Sequence, residues 1–268
     1  MAIGRFMPGL ALAALPTLVH ASNGMRPRTP AVFPDDVPCV QTVQRGDTLH
    51  IDYAAPFDDT ELGDEELPDS RRYQFFAFAE QRYDFGLPIW ITRADYDRAD
   101  ANGDIVMLGD RPILEEDPTW LATKWTRITA DDARIPITIE QSALGVDWDT
   151  GSTPPGTWFV AAYTWEPEQN LWTPRYGAVR IVDPDAPTSA GPTVFLANEV
   201  PSVVRVGDTY SPVGCIEAEG DATITASWGS VTGGATPQWI EFATDVAVVT
   251  GPLALAWSPG DEAIGATL

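Results

Sequence analysis

The feature that most constrains this chain is a pair of strand-like segments near its middle. Gly156-Thr-Trp-Phe-Val-Ala-Ala-Tyr-Thr-Trp165 and Tyr176-Gly-Ala-Val-Arg-Ile-Val182 are rich in β-branched and aromatic residues. A turn through Glu166–Asn170 joins them, and Pro154-Pro155-Gly156 is a turn signal before the first. Such a hairpin cannot stand alone in water; it needs further strands and a covered apolar face. The chain supplies them. Thr48-Leu-His-Ile-Asp-Tyr53 alternates strictly, with Leu49, Ile51 and Tyr53 on one face and His50 and Asp52 on the other. Arg71–Phe78 is aromatic and strand-like, and strands resume at Ile135–Gln141. After residue 193, Val203–Val206, Tyr210–Glu217, Ala222–Trp228, Gln238–Phe242, Asp245–Val249 and Leu253–Trp257 read as short strands between turn residues. No long helix is evident. The fold class is all-β, built as two β-sandwich domains in tandem.

Between the two sets of strands, Asp183-Pro-Asp-Ala-Pro-Thr-Ser-Ala-Gly-Pro192 has the composition of a linker. It divides a first domain at 39–183 from a second at 193–268. The first carries an insertion near 92–134. Thr92-Arg-Ala-Asp95 opens it like a capping box and predicts a short helix ending near Ala101. The rest of the insertion shows weak periodicity and predicts little regular structure.

The N-terminus predicts export. Arg5 precedes an apolar stretch from Phe6 to Val19, and Val19-His20-Ala21 offers a cleavage site. That stretch is shorter than the ~20 residues of a membrane span, and no later stretch is long and apolar enough. Residues 1–21 read as a signal peptide and 22–38 as a loose Pro-rich leader. Extracellular, cell-surface and periplasmic destinations all follow from such a signal. Lysine occurs once, at Lys124, and the other basic residues are arginine. With abundant Ala, Gly, Pro and Asp, that bias suggests a GC-rich bacterial genome. The formal net charge of −23 excludes nucleic acid as a partner, because phosphate contacts need clustered Lys and Arg.

Pro154-Pro-Gly-Thr-Trp-Phe-Val-Ala-Ala-Tyr163 resembles the penultimate strand of bacterial immunoglobulin-like and fibronectin type III-like domains. The resemblance puts Trp158, Val160 and Ala162 on the inner face. Cys215 and Trp228 are similar in spacing to the immunoglobulin core Cys and Trp. Asp261-Glu-Ala263 resembles the turn before the strand that carries the second core Cys, where this chain has Thr267. That register leaves no residues for a last strand, so the second domain reads as incomplete, either truncated or open to a donor strand from a partner. The resemblance implies an architecture and no activity.

Signals for chemistry are few. After the signal peptide one histidine remains, His50, so histidine-rich zinc sites are excluded. No Gly-x-Ser-x-Gly elbow accompanies it. Calcium is the cofactor the residues suggest. Asp58, Asp59 and Glu61 belong to a dense acidic loop, and Asp97 and Asp100 follow the start of the helix. Clustered oxygen ligands of this kind suit Ca²⁺. On a helix Asp97 and Asp100 share a face that Asp95 leaves. The hairpin aromatics Tyr163, Trp165, Trp172 and Tyr176 form a candidate surface for recognition. Each domain holds one cysteine, Cys39 or Cys215. A sandwich is longer than the ~7 Å a bridge spans, so two separate thiols are expected. These residues predict an exported, non-enzymatic surface or adhesion-type module that binds protein or glycan. The alternative is an accessory or degenerate acidic hydrolase domain that uses calcium.

Overall fold

The computed structural model describes residues 29–60, 72–81, 88, 90–101, 113–118, 124–165, 171–197, 204–229 and 239–261. The signal peptide, Glu61 and the C-terminal Ile264–Leu268 lie outside them. The described residues are mostly β, and none of their helices is long and apolar enough to cross a membrane.

The first unit is organised around one sheet. Strands β1 (Val40–Gln44), β2 (Thr48–Ile51) and β3 (Arg72–Phe78) precede helix α1 (Arg93–Ala101). Then come β4 (Trp125–Arg127), β5 (Ile135–Pro136), β6 (Val146–Asp149), β7 (Gly156–Trp165), β8 (Leu171–Pro174) and β9 (Ala178–Val182). The main sheet runs β1-β9-β7-β3-β4, with β5 added to β3 and β8 to β7. β1 is parallel to β9, and the other pairs are antiparallel. β2 and β6 form a second, two-stranded sheet. Its Leu49, Ile51 and Trp148 pack on Ala77, Trp158, Val160, Val179 and Ile181 of the main sheet. Trp158, Val160 and Ala162 are all buried, at 3%, 2% and 0% exposure.

The opposite face of β3 and β7 is also dry. Phe76, Phe78, Ala161 and Tyr163 are covered by Ile91 and Leu114 from the insertion. The insertion is therefore a lid over the sheet, and its middle is tied back to its start where Leu114 N–H donates to Trp90 O at 2.9 Å. Burial on both faces explains why β3 reads as a continuous aromatic run instead of an alternation. α1 starts where the sequence predicts it. Thr92 Oγ1 accepts from Asp95 N–H at 3.1 Å, the N-cap bond. Asp95 does not complete the box; its carboxylate is buried and pairs with Arg134 at 2.7 Å.

Several expectations need correction. The insertion contains a strand of the main sheet, β4, in a part expected to lack regular structure. Ile135–Gln141 is not one strand. It turns into a short helix, Ile139–Ser142, because Thr138 Oγ1 accepts from Gln141 N–H and Asp58 Oδ1 from Ile139 N–H. The described end of the leader is packed, not loose. Thr29 and Ala31 are 1% exposed, and Tyr73 Oη donates to Pro30 O at 3.0 Å.

The second unit is smaller. β10 (Thr193–Leu196), β11 (Gly214–Glu217) and β14 (Gly251–Pro252) make one sheet. β12 (Ala222–Trp228) and β13 (Ile240–Val248) make a ribbon. The two segments expected at 238–242 and 245–249 are one strand that carries Asp245 at φ 50°. Leu253, Leu255 and Trp257 bury alternate side chains without strand pairing beyond a bridge from Tyr210 to Trp257.

The two units are bonded. Cys39 and Cys215 form a disulfide with Cα atoms 6.4 Å apart. This overturns the expectation of two thiols. The length of a sandwich is no obstacle, because Cys39 enters β1 at the sheet edge on which the second unit docks. Phe195 lies between Phe159 and Tyr176. Gln81 both donates to Leu196 O and accepts from Leu196 N–H. Buried Arg180 faces Glu217 at 3.6 Å and Glu219 at 3.1 Å. The 184–192 segment is accordingly a fixed connection, part of it a 3₁₀ turn at Pro187–Ala190 with Ala190 buried.

Candidate functional site

Of the acidic residues singled out for calcium, Glu61 lies outside the described residues, and Asp58, Asp59 and Asp97 each have a different partner. Asp58 caps the helix at Ile139, with its Oδ1 2.7 Å from Ile139 N. Asp59 is buried and accepts from Thr29 Oγ1 at 2.6 Å. Asp97 and Asp100 are exposed on α1, and Asp97 lies 3.9 Å from Arg93 one turn back. Asp95 is buried away from them, as helical spacing requires. Among the described residues no group of three His, Cys, Asp or Glu side chains is placed to hold a metal.

The hairpin aromatics are not a recognition surface as a set. Tyr163 is fully buried and packs on Phe76 and Trp172. Trp172 is half-buried in the same cluster, and its Nε1–H donates to Pro88 O at 2.7 Å. Tyr176 sits edge-on against Phe195 at 4.9 Å, in the contact between the units. The reason for all three is the same: the lid and the second unit cover faces that a free sandwich would leave open. Trp165 lies in β7, and its side chain is outside the described residues.

His50 is on the exposed face of β2. Its Nδ1 is 2.6 Å from Asp147 Oδ1 and its Nε2 is 3.4 Å from Asp52 Oδ1. The hydrogen bond to Asp147 raises its pKa above the ordinary value, and both carboxylates add to the effect. With both ring nitrogens facing carboxylates, the imidazole is committed to holding β2 against β6.

An open groove of about 430 Å³ is lined by Lys124, Trp125, Thr126, Ser152, Pro154 and Trp158. β4 brings the first three residues. The turn from β6 into β7 brings the others. Trp158 is 3% exposed, packed into the core between the sheets, and its Nε1–H donates to Pro154 O at 3.0 Å, so it forms the floor of the groove and leaves Trp125 as the aromatic side chain with exposed surface. Trp125 is half-buried against Phe76, with the Arg127 guanidinium 5.7 Å from its ring. Lys124 stands exposed at the rim with φ 58°, a left-handed backbone held by Ala79 N–H donating to Lys124 O at 3.1 Å. The groove was not anticipated from the sequence. The available signal was that the single lysine of a very acidic chain immediately precedes a tryptophan.

Comparison with family models, with curated proteins and with solved structures returned no match.

Proposed function

We propose that this chain is an exported binding module of two immunoglobulin-like units, which holds a glycan in the groove between Lys124 and Trp158. The observation that carries the reading is the groove itself, an open concavity lined by half-buried Trp125, Pro154, Thr126, Ser152 and Lys124 over a Trp158 floor. Sugars offer the matching surface, an apolar C–H face rimmed by hydroxyls, and aromatic walls with a few polar groups recognise such ligands. The disulfide between Cys39 and Cys215 supports export, because such bonds persist in oxidising compartments. The sheet order β9-β7-β3, opposed by β2-β6, supports the immunoglobulin-like reading of the first unit. It follows the G-F-C and B-E neighbours of that architecture. The second unit has β10-β11-β14 and the β12-β13 ribbon, which is compatible with a shortened relative of the first.

A glycan array probed with the full exported chain tests this. Binding is expected to at least one polysaccharide class and to be lost in Ser152→Trp, which fills the groove from an exposed position. An array on which the protein binds nothing, or binds equally well with Ser152→Trp, overturns the proposal.

A further inference from the structure

We infer that the groove takes a carboxylate-bearing sugar, a uronate residue of an acidic polysaccharide, with its carboxylate on the Lys124 ammonium. The inference rests on the binding-module reading above and names its ligand class. Three observations converge on Lys124. It is the single lysine in a chain with 39 acidic residues, yet among the described residues no carboxylate lies within ion-pair reach of it. Its φ of 58° is a left-handed conformation that glycine adopts freely and an L residue adopts only at a cost, as Asp245 also does. A side chain kept at such a position points to a role for the side chain, since glycine would relieve the backbone. Lastly, exposed Lys124 lines the same groove as Trp125, Thr126 and Ser152.

The chemistry of the lining narrows the ligand. The Trp158 indole N–H is already used within the groove, on Pro154 O. The aromatic surface that can meet an apolar face is that of half-buried Trp125. Lys124 supplies the charged donor, and the hydroxyls donate or accept as a sugar requires. A neutral sugar would leave the ammonium without a counter-charge among the described residues. A phosphate is better served by an arginine fork or a nest of backbone N–H groups, and a lone lysine beside two hydroxyls is neither. The net charge of −23 repels an acidic ligand at long range, but salt screens that field over about 8 Å at physiological ionic strength. The short contact to Lys124 then decides affinity.

The test is calorimetric titration of the full exported chain with tetragalacturonate and with the neutral galactose tetrasaccharide. Tetragalacturonate is expected to bind at least tenfold more tightly. Lys124→Gly is the informative variant, because it removes the ammonium and relieves the backbone together. It is expected to melt no lower than the wild type and to lose at least tenfold in affinity for tetragalacturonate. Lys124→Arg is expected to retain the preference. Equal binding of the two oligosaccharides overturns the uronate assignment and leaves the glycan-module reading standing. Undiminished binding by Lys124→Gly overturns it as well. If neither oligosaccharide binds, the uronate assignment falls, and the array decides separately whether the module reading falls with it.

Discussion

His50 and Arg175 show how single side chains in this molecule set opposite stability effects. His50 is held by Asp147 first and Asp52 second, and its pKa in the folded chain lies above the ordinary 6.5. In the unfolded chain that support is gone. The favourable contribution is therefore fully present below about pH 6.5 and fades as the pH rises through the raised folded value. Its size is small, at most about 1 kcal/mol, because the imidazole is half exposed. An NMR titration of the His50 ring is expected to give a midpoint above 6.5. Asp147→Asn should lower it more than Asp52→Asn does. A midpoint at or below 6.5 in the wild type contradicts the geometry. Arg175 behaves otherwise. It is 6% exposed, and its Nη2–H donates to Gln41 Oε1 at 2.8 Å, but Nη1 has no hydrogen-bond partner among the described residues. Burial pushes the guanidinium pKa down, with distant Asp52 opposing the shift only weakly. A buried charge without a close counter-ion costs more than it returns. Arg175→Met, close in volume and uncharged, is expected to raise the urea midpoint by the equivalent of about 1 kcal/mol. A lowered midpoint would mean that the bond to Gln41 outweighs desolvation.

At the level of elements, the edge strand β1 depends on one glycine far along the chain, just before β9. Gly177 has φ 82°, and a Cβ there would lie 2.6 Å from Pro38 O, a backbone atom that cannot step aside cheaply. The chain leaving Pro38 and Cys39 passes over this glycine to enter its parallel pairing with β9, and Ala178 N–H donates to Cys39 O at 2.9 Å. Gly177→Ala is therefore expected to destabilise by more than about 1 kcal/mol in denaturant titration. Amide exchange should speed up first in β1; an unchanged exchange pattern there contradicts this account. The same elements show what the sequence made legible. The alternation of Thr48–Tyr53 predicted a half-buried strand because period 2 reports one covered face, and Leu49 and Ile51 are buried. Ala222–Trp228 and the Arg93–Ala101 helix were equally readable, the latter through its cap. β1 and β6 were not. Val40–Gln44 has its partner in β9, far along the chain, and its residues are only half-buried. The candidate site stayed hidden for a related reason. Lys124 and Trp125 meet Ser152 and Trp158 only after β3 has paired with both β4 and β7.

On the scale of the whole molecule, the question is what holds the two units together once the covalent link is gone. The disulfide spans 176 residues of chain, and removing such a link typically costs about 2–5 kcal/mol, mainly by freeing the unfolded state. The native contact, however, does not consist of the disulfide alone. Phe195 is inserted between Phe159 and Tyr176, and Thr157 shares a 2.8 Å hydrogen bond with Thr193. Gln81 satisfies both backbone groups of Leu196, and Thr42 Oγ1 donates to Glu217 at 2.7 Å. Arg180, 1% exposed, has Glu217 and Glu219 of the second unit as its nearest carboxylates. Separating the units would expose Phe195 and leave Arg180 without them, a large cost for a charge already withdrawn from water. Reduction by a dithiol such as dithiothreitol should consequently lower the melting temperature without undocking the units. Small-angle scattering at room temperature is expected to give the same radius of gyration before and after reduction. Phe195→Ala removes the aromatic wedge while the disulfide remains, so it should also scatter like the wild type when oxidised. Only the reduced Phe195→Ala chain, lacking both constraints, is expected to extend. Expansion of the reduced wild type would show that the disulfide alone determines the arrangement, and that the aromatic and ionic contacts form only because it holds them there.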